Sequence, residues 1–288
     1  MDALDSINRM LEAAIADAAK DSPPRLAEAL RYAVFPGGAR LRPKLCMSVG
    51  WACGAQDLKL LAGAGAAIEL LHCASLVHDD LPCFDDADTR RGKIALHRVF
   101  GDQIGVLAGD SLIVMAFDVL AVASQSEPGR LAPLTRIVSR AGGAAGGIAA
   151  GQAWECEPQI DTSRYHCAKT GSLFSAATMA GAAAAGVPYE PWRRVGLMIG
   201  EAYQVADDIC DAVGDAEQLG KPVGRDAALA RPSACQELGL EGAIARLKYL
   251  VQQAIDAVPD CPRRVELTAQ IRKEASRFLP EHIARLAA

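Results

Sequence analysis

The sequence has few aromatic residues and no excess of positive charge. Only 5% of its 288 residues are Phe, Trp or Tyr, and 30 Lys and Arg stand against 35 Asp and Glu, a formal net charge of −5. This balance argues against a nucleic-acid-binding protein, because such proteins need a large positive field. The N-terminus also lacks a basic stretch followed by an apolar one, so it predicts no signal peptide, and we expect a cytoplasmic protein.

The nine cysteines form no CxxC pair and no Cys/His run with the spacing of zinc ligands. Most stand among apolar residues, so we expect small buried hydrophobes in a reducing compartment. One uncharged stretch, residues 170–189, is long enough to cross a bilayer, but it is mostly Ala, Gly, Ser and Thr and contains Pro188. We expect a packed interior helix there and no transmembrane segment.

Helical periodicity dominates what is present. Apolar residues recur three or four positions apart, as in Leu4, Ile7, Leu11 and Ile15, and no stretch alternates convincingly with period two. Gly and Pro clusters divide the chain into segments of one to five helical turns, with no linker or low-complexity segment. Because 51% of the residues are hydrophobic, the chain can bury a large core. We predict one all-α domain over residues 1–288.

A cluster of acids follows an apolar helical segment, in the run HDDLPCFDDAD that begins at His78. Pro82 disfavours helical geometry at Leu81, so the helix should end near Asp80. Carboxylates at the negative end of a helix dipole repel one another and are unfavourable without a cation. The cluster therefore indicates either a cation site or an acidic loop in water.

A second acidic cluster favours the cation site. Asp207 and Asp211 are four residues apart on a predicted helix and share one face, with Asp208 beside them. Mg²⁺ is commonly held by one or two carboxylates together with substrate phosphates. If the two clusters face each other across a cavity, they predict a magnesium-bridged diphosphate. Basic residues that could bind its oxygens lie nearby in the sequence: Arg40, Arg42, Arg90, Arg91, Lys169 and Lys221.

Seven motifs then reveal a family resemblance from about residue 29 to residue 239: GGxRLRP, HDDLPxxDDxDxRRG, GDSL, GQ, KTGxLF, QxxDDxxD and LGKxxGxD. In this order they resemble the bacterial-type all-trans short-chain prenyl diphosphate synthases, and most of all the geranylgeranyl diphosphate synthases of carotenoid and bacteriochlorophyll pathways. The resemblance implies a helical bundle around a central cavity, a homodimer, and the substrates isopentenyl diphosphate and an allylic diphosphate.

The resemblance also implies residue roles. The Mg²⁺ ligands and catalytic acids would be Asp79, Asp80, Asp85, Asp207, Asp208 and Asp211. The substrate-binding residues would be Arg40, Arg42, His72, Arg90, Arg91, Lys169, Thr170, Gln204 and Lys221. Of these, Lys169 would also be catalytic.

Three positions depart from the family pattern. Ala39 replaces the usual lysine of the glycine-arginine motif, Arg231 replaces a second lysine, and Glu155 stands where the GQ motif often continues to Asp. We hypothesise that Ala39 weakens the binding of isopentenyl diphosphate without stopping the chemistry.

Product length is predicted from the helix that precedes the first acids. Ser75 lies one turn before Asp79, with Ala74 beside it, and the prenyl tail would grow in this direction. Farnesyl-producing relatives commonly carry an aromatic ring at the position of Ala74, so the small residues favour geranylgeranyl over farnesyl diphosphate. The alternative is that another side chain forms the floor. Two further alternatives are a class I terpene cyclase and a non-catalytic synthase subunit.

Overall fold

The computed structural model describes residues 3–35, 37–213 and 233–276, and this part of the chain is almost entirely helical. The first half contains α1 (Ala3–Ala19), α2 (Pro24–Val34), α3 (Leu41–Ala52), α4 (Leu58–Asp79), β1 (Thr89–Arg90), β2 (Lys93–Ile94), α5 (Leu96–Phe100) and α6 (Asp102–Ala123). The second half contains α7 (Leu131–Gly142), α8 (Ile148–Trp154), α9 (Thr162–His166), a π-helical turn (Cys167–Gly171), α10 (Ser172–Ala185), α11 (Trp192–Val213), α12 (Ala234–Asp256) and α13 (Arg264–Ser276).

The predicted all-α class is confirmed. Among the described residues the only strands are β1 and β2, a two-stranded antiparallel ribbon of two residues each. Two short 3₁₀ helices, Ser124–Ser126 and Pro128–Arg130, join α6 to α7. The helix that precedes the first acids ends where Pro82 predicted, because α4 stops at Asp79 with Asp80 as its C-terminal cap.

Two nearly fully buried helices form the centre of the bundle. Helix α4 packs against α1, α3 and α6, and α10 packs against α3, α7 and α11. Most of their residues are buried on every side, unlike α1, which buries only Ile7, Leu11 and Ile15. Small residues allow this close packing, since a Cβ at Gly181 of α10 would overlap the carbonyl of Cys46 on α3. Helix α10 is therefore the packed interior helix predicted for residues 170–189.

Two segments are long and apolar enough to cross a membrane by length and composition: Leu58–Asp79 and Asp102–Ser126. The most apolar part of the first is 83% buried within the fold, as the core helix of a globular protein would be. The corresponding part of the second is only 44% buried. Helix α6 thus leaves an apolar face open.

None of the nine cysteines, all of which lie in the described residues, forms a disulfide, but they are less uniformly buried than expected. Cys46, Cys53 and Cys73 are buried, and burial raises the pKa of each thiol to about 12. The other six are partly or fully exposed, because they lie on short connections or outer helix faces that the sequence pattern did not distinguish. The prediction of mainly buried cysteines was therefore wrong.

Candidate active site

The first aspartate segment lies at the C-terminal end of α4 and in the loop that follows. Asp79 and Asp85 are half-buried and joined through the backbone, since the Asp85 N–H donates to the Asp79 carbonyl at 2.9 Å. Burial raises the pKa of Asp79 to about 6; the charge of Asp85 adds to the rise, and the charge of Lys169 opposes it. A carboxylate in such surroundings gains from a cation, so the segment suits a positively charged ligand.

Asp80 has different surroundings from Asp79. Its side chain is 3% exposed, and the Nε and Nη2 atoms of Arg90 both donate to its Oδ1, at 2.8 and 2.5 Å. Burial raises the pKa of Asp80, although Arg90 opposes the rise. The Ala87 N–H also donates to the Asp80 carbonyl, so Asp80 ties the loop and β1 to the end of α4. The predicted metal ligand Asp80 and substrate ligand Arg90 are thus paired with each other.

The second aspartate segment lies near the C-terminal end of α11. Asp207 and Asp211 are half-buried on one face of the helix, as their spacing predicted. Asp208 is buried; its Oδ2 accepts the N–H of Ala234 at 2.8 Å and its Oδ1 accepts Nε2 of Gln204 at 3.0 Å. Burial raises the pKa of Asp208, and these two hydrogen bonds oppose the rise. Asp208 therefore joins α11 to the start of α12.

The π-helical turn that carries Lys169 and Thr170 connects the two segments. The charge of Lys169 acts on Asp79 of the first segment. Thr170 Oγ1 donates to Oε1 of Gln204, one turn before Asp208 on α11, at 3.0 Å. π-helical turns are rare and occur frequently at functional sites. The structure thus places Thr170 against Gln204, with Lys169 in the same turn, and their role around a departing diphosphate stays a prediction.

Two arginines and a histidine form a basic corner beside α4. Arg42 Nη1 and Arg91 Nη2 lie 3.3 and 2.9 Å from Nε2 of His72. Burial and the nearby arginines hold the pKa of His72 well below its usual range, so the ring is neutral at pH 7. Because a guanidinium only donates, Nε2 is the acceptor and the ring proton is on Nδ1. Arg42 also lies over the Phe174 ring, 4.6 Å from its centroid.

This corner contains a hydrogen-bond donor that no described residue uses. The buried Nε of Arg42 has no hydrogen-bond partner among the described residues, so one strong donor is left for a ligand. A Cβ at Gly38 would lie 3.0 Å from the Arg91 guanidinium, so the glycine loop approaches that arginine closely. The structure thus places Arg42, His72 and Arg91 together, and their role in holding the second diphosphate stays a prediction.

Arg40 differs from the other predicted substrate ligands. Its guanidinium is 3% exposed; Nη1 contacts Oε1 of Glu69 at 2.6 Å and Nη2 donates to the Val34 carbonyl at 2.7 Å. These partners occupy Arg40 inside the fold, where it joins α2 to α4. Sequence reasoning did not predict a role for Glu69. Its position as a single acid within the apolar run of α4 could have indicated a buried ion pair, because a buried charge needs a partner.

An apolar cavity of about 600 Å³ extends from Asp79 between α4, α6, α7 and α8. Ala74 and Ser75 line it, and growth of a prenyl tail past them stays a prediction. Leu71 of α4, Phe117 of α6 and Val138 of α7 line it as well, and sequence reasoning did not identify them. These three residues lie on three different helices, so the residue spacing within one motif could not have predicted that they line one cavity.

A second cavity, of about 390 Å³, lies beside Asp207. Its lining includes Ala39, at the position of the missing family lysine, together with Lys44 and Tyr203. Lys44 thus supplies a positive charge close to Ala39. The predicted ligand Lys221 and the departure at Arg231 lie outside the described residues.

The acidic residues fit Mg²⁺ held jointly by protein and substrate. Among the described residues, no three His, Cys, Asp or Glu side chains are close enough to hold an ion by themselves. Mg²⁺ does not need such a group, because it commonly keeps several waters and binds one or two carboxylates together with phosphate oxygens. The half-buried oxygens of Asp79 and Asp85, with the pKa of Asp79 raised, are hard donors of the required kind.

Comparison with known proteins gives matches along most of the chain. Residues 23–270 match the polyprenyl synthetase family. The chain is 50% identical to a geranylgeranyl diphosphate synthase of Cereibacter sphaeroides, covering 97% of this chain and 99% of that protein. It is 47% identical to a geranylgeranyl diphosphate synthase of Rhodobacter capsulatus, with 95% and 96% covered.

Solved structures share the fold. A geranyltransferase from Helicobacter pylori, complexed with magnesium and isoprenyl diphosphate, has a TM-score of 0.78 at 29% identity, covering 96% of this chain and 98% of that one. A geranylgeranyl pyrophosphate synthetase from Pyrococcus horikoshii has a TM-score of 0.75 at 26% identity, with 93% and 97% covered. The predicted resemblance and the predicted fold are both confirmed.

Proposed function

The chain belongs to the polyprenyl synthetase family, and from that premise we propose that it is a prenyltransferase that makes geranylgeranyl diphosphate. It condenses isopentenyl diphosphate with the allylic diphosphates dimethylallyl, geranyl and farnesyl diphosphate. The observation that carries this proposal is the joining of two aspartate segments by Lys169 and Thr170, with an apolar cavity of about 600 Å³ behind the first segment.

Each group of site residues has a role in this reaction. Asp79, Asp85, Asp207 and Asp211 would hold Mg²⁺, which, when bound, offsets the negative charge of the allylic diphosphate. Lys169 and Thr170 face the leaving diphosphate and stabilise the charge that develops as its carbon–oxygen bond breaks. Arg42, His72 and Arg91 hold isopentenyl diphosphate. Asp80, Asp208 and Arg40 support these groups through the buried contacts described above.

The chemistry needs no protein nucleophile. The allylic carbon–oxygen bond breaks, and the diphosphate leaves with the electron pair. The double bond of isopentenyl diphosphate attacks the resulting allylic cation, and a new carbon–carbon bond forms. A proton is then lost to the released diphosphate, which leaves a product one isoprene unit longer. Burial of the site serves to position both substrates and to exclude water, which would trap the cation.

We propose a homodimer built on the open face of α6. Val106, Leu107, Val114 and Val122 are exposed apolar residues on this helix, and Val114 is 67% exposed. A second copy of the chain would cover them, as an extended apolar surface favours association. Sedimentation should give a dimer that Val114→Glu converts to monomer, whereas the exposed Val265→Glu on α13 should leave the dimer intact. A monomeric wild-type protein would refute this arrangement.

The reaction is tested with the purified chain, Mg²⁺, isopentenyl diphosphate and each allylic primer, and the products are separated by chromatography. Geranylgeranyl diphosphate as main product supports the proposal, and farnesyl diphosphate would limit it to the shorter chain. A hydrocarbon released from an allylic substrate alone would indicate a terpene cyclase. No turnover without a partner synthase would indicate a non-catalytic subunit.

A further inference from the structure

Glu155 is an acid of the site that has no predicted role. It caps the C-terminal end of α8, and its Oε1 contacts Nζ of Lys169. Tyr165 donates its hydroxyl hydrogen to the same oxygen at 2.8 Å, and Nε2 of Gln152 donates to the other oxygen at 3.1 Å. Three donors from three segments therefore fix one carboxylate, and that carboxylate holds the lysine.

The backbone beneath Lys169 is fixed independently of this contact. Lys169 lies in the π-helical turn Cys167–Gly171, and a Cβ at Gly151 would lie 2.6 Å from the Lys169 Cα atom. Helix α8 thus packs directly on the main chain of the turn. The four-carbon side chain is not fixed by this packing, and ordering a lysine side chain costs conformational entropy. The Glu155 carboxylate restricts the side chain that the backbone leaves free.

Glu155 lies near the first aspartate segment. Its negative charge contributes to raising the pKa of Asp79, while the positive charge of Lys169 lowers that pKa. The side chains of Glu155 and Lys169 are 21% and 20% exposed, so their contact is largely shielded from water. The pair therefore lies at the side of the site where the allylic diphosphate would bind.

We infer that Glu155 is a positioning residue that holds the Lys169 ammonium in place for the departing diphosphate. This inference rests on the proposed function. A cation that is already oriented stabilises charge in the transition state without reorganising, so the loss of Glu155 should act on kcat more than on KM. In this role Glu155 acts through Lys169, so its loss should have its largest effect on kcat while the lysine is present, whereas a general contribution to stability would not depend on Lys169.

A double-mutant cycle tests the inference with Glu155→Gln, Lys169→Gln and both together. Glu155→Gln should lower kcat about tenfold and leave KM for isopentenyl diphosphate within about twofold, because that substrate binds at another corner. In the Lys169→Gln background the same substitution should lower kcat much less. Glu155→Asp, which keeps the charge on a shorter side chain, should recover part of kcat. Glu157→Gln, an exposed acid of the same loop, is the matched control and should behave as wild type.

Three outcomes would overturn the inference: an unchanged kcat in Glu155→Gln, an equal loss of kcat in both backgrounds, or a loss accompanied by a lower melting temperature.

The same proteins are also titrated with inorganic pyrophosphate and Mg²⁺ by calorimetry, where Glu155→Gln should weaken binding only if Lys169 is present. This readout needs no turnover, so it still tests the Glu155–Lys169 coupling if the wild-type chain makes no prenyl product.

Discussion

In the first aspartate segment Asp79 and Asp85 are half-buried and Asp80 is buried, and the second segment repeats this pattern with Asp207, Asp211 and the buried Asp208. In both segments the buried aspartate contacts the fold: Asp80 pairs with Arg90, and Asp208 accepts the N–H of Ala234. We infer from this shared pattern that neighbouring acids of one motif have separate tasks. In the proposed function the half-buried acids would offer oxygens to a ligand, and the buried acid fixes the backbone that carries them.

The surroundings of the two segments differ. The first ends a helix, continues into a loop with left-handed backbone at Asp86 and Arg91, and opens on the apolar cavity of about 600 Å³. The second lies on a regular helix and adjoins the smaller cavity, which Lys44 lines. The first segment is thus suited to a growing apolar chain and the second to a charged group.

The largest expected effect is a loss of kcat on substitution of Asp79, which a nearby exposed acid should not show. Asp79→Asn should lower kcat by about two to three orders of magnitude, because a ligand for the ion that offsets the developing charge is lost. The measurement is steady-state kinetics with saturating Mg²⁺. Asp88→Asn is the matched control, since Asp88 belongs to the same loop but is exposed and pairs with Arg98. Full activity in Asp79→Asn would contradict the assignment of this acid.

The same Asp79→Asn variant should be more stable than wild type at neutral pH. The pKa of Asp79 is raised to about 6 in the folded protein, so the stability it contributes is present below pH 4 and lost as the pH rises through 6. Asn cannot ionise and avoids this loss. Without Mg²⁺, its melting temperature should exceed that of wild type at pH 7.5, and the advantage should be absent at pH 4. If Asp79→Asn were less stable than wild type at pH 7.5, the pKa of Asp79 could not be raised in the folded protein.

Substitutions that change the size of the cavity behind the first segment should change the length of the product. Ala74→Tyr should place a ring in the cavity of about 600 Å³ and shift the main product from geranylgeranyl to farnesyl diphosphate. Phe117→Ala, on the facing helix α6, should enlarge the same cavity and lengthen the product. Chromatography of the products measures both effects. An unchanged distribution in Ala74→Tyr would assign the floor to another residue.

The buried aspartates should affect stability in both segments. Asp80→Ala leaves the two Arg90 donors without their acceptor. Asp208→Ala likewise leaves the N–H of Ala234 without its acceptor. We expect each to lower the free energy of unfolding by about 1–3 kcal/mol, measured by urea denaturation. If both variants unfold at the wild-type urea concentration yet lose activity, the buried acids belong to the chemistry and the separation of tasks is wrong.

How much of this was predictable depends on whether a feature is local. The end of α4 near Asp80 and the shared face of Asp207 and Asp211 follow from Pro82 and from helical spacing, and the structure has both. The partners of Asp80 and Asp208 come from β1 and α12, so no local pattern contains them. Burial distinguishes these two acids from their neighbours, and burial depends on packing.

Two further residues, Phe117 in the cavity wall and Glu155 beside Lys169, could not be predicted from local sequence for the same reason. Phe117 reaches the cavity from α6 across the bundle, and Glu155 meets Lys169 only because α8 packs on the π-helical turn. In sequence Glu155 stood out only as a departure from the family pattern. Its contacts supply the physical meaning of that departure.

The smallest expected effect concerns the charge beside the second segment. Ala39→Lys adds a cation to the cavity that Asp207 lines, and it should lower KM for isopentenyl diphosphate about two- to fivefold with kcat unchanged, as exposed charges contribute little. Ala39→Gln controls for side-chain length. Lys44 lines the same cavity, so if it serves in place of the missing lysine, Lys44→Gln alone should raise KM and Ala39→Lys should restore it. An unchanged KM in both Ala39→Lys and Lys44→Gln would mean that neither position contacts this substrate, and the positive charge that binds it would have to come from Arg42 and Arg91.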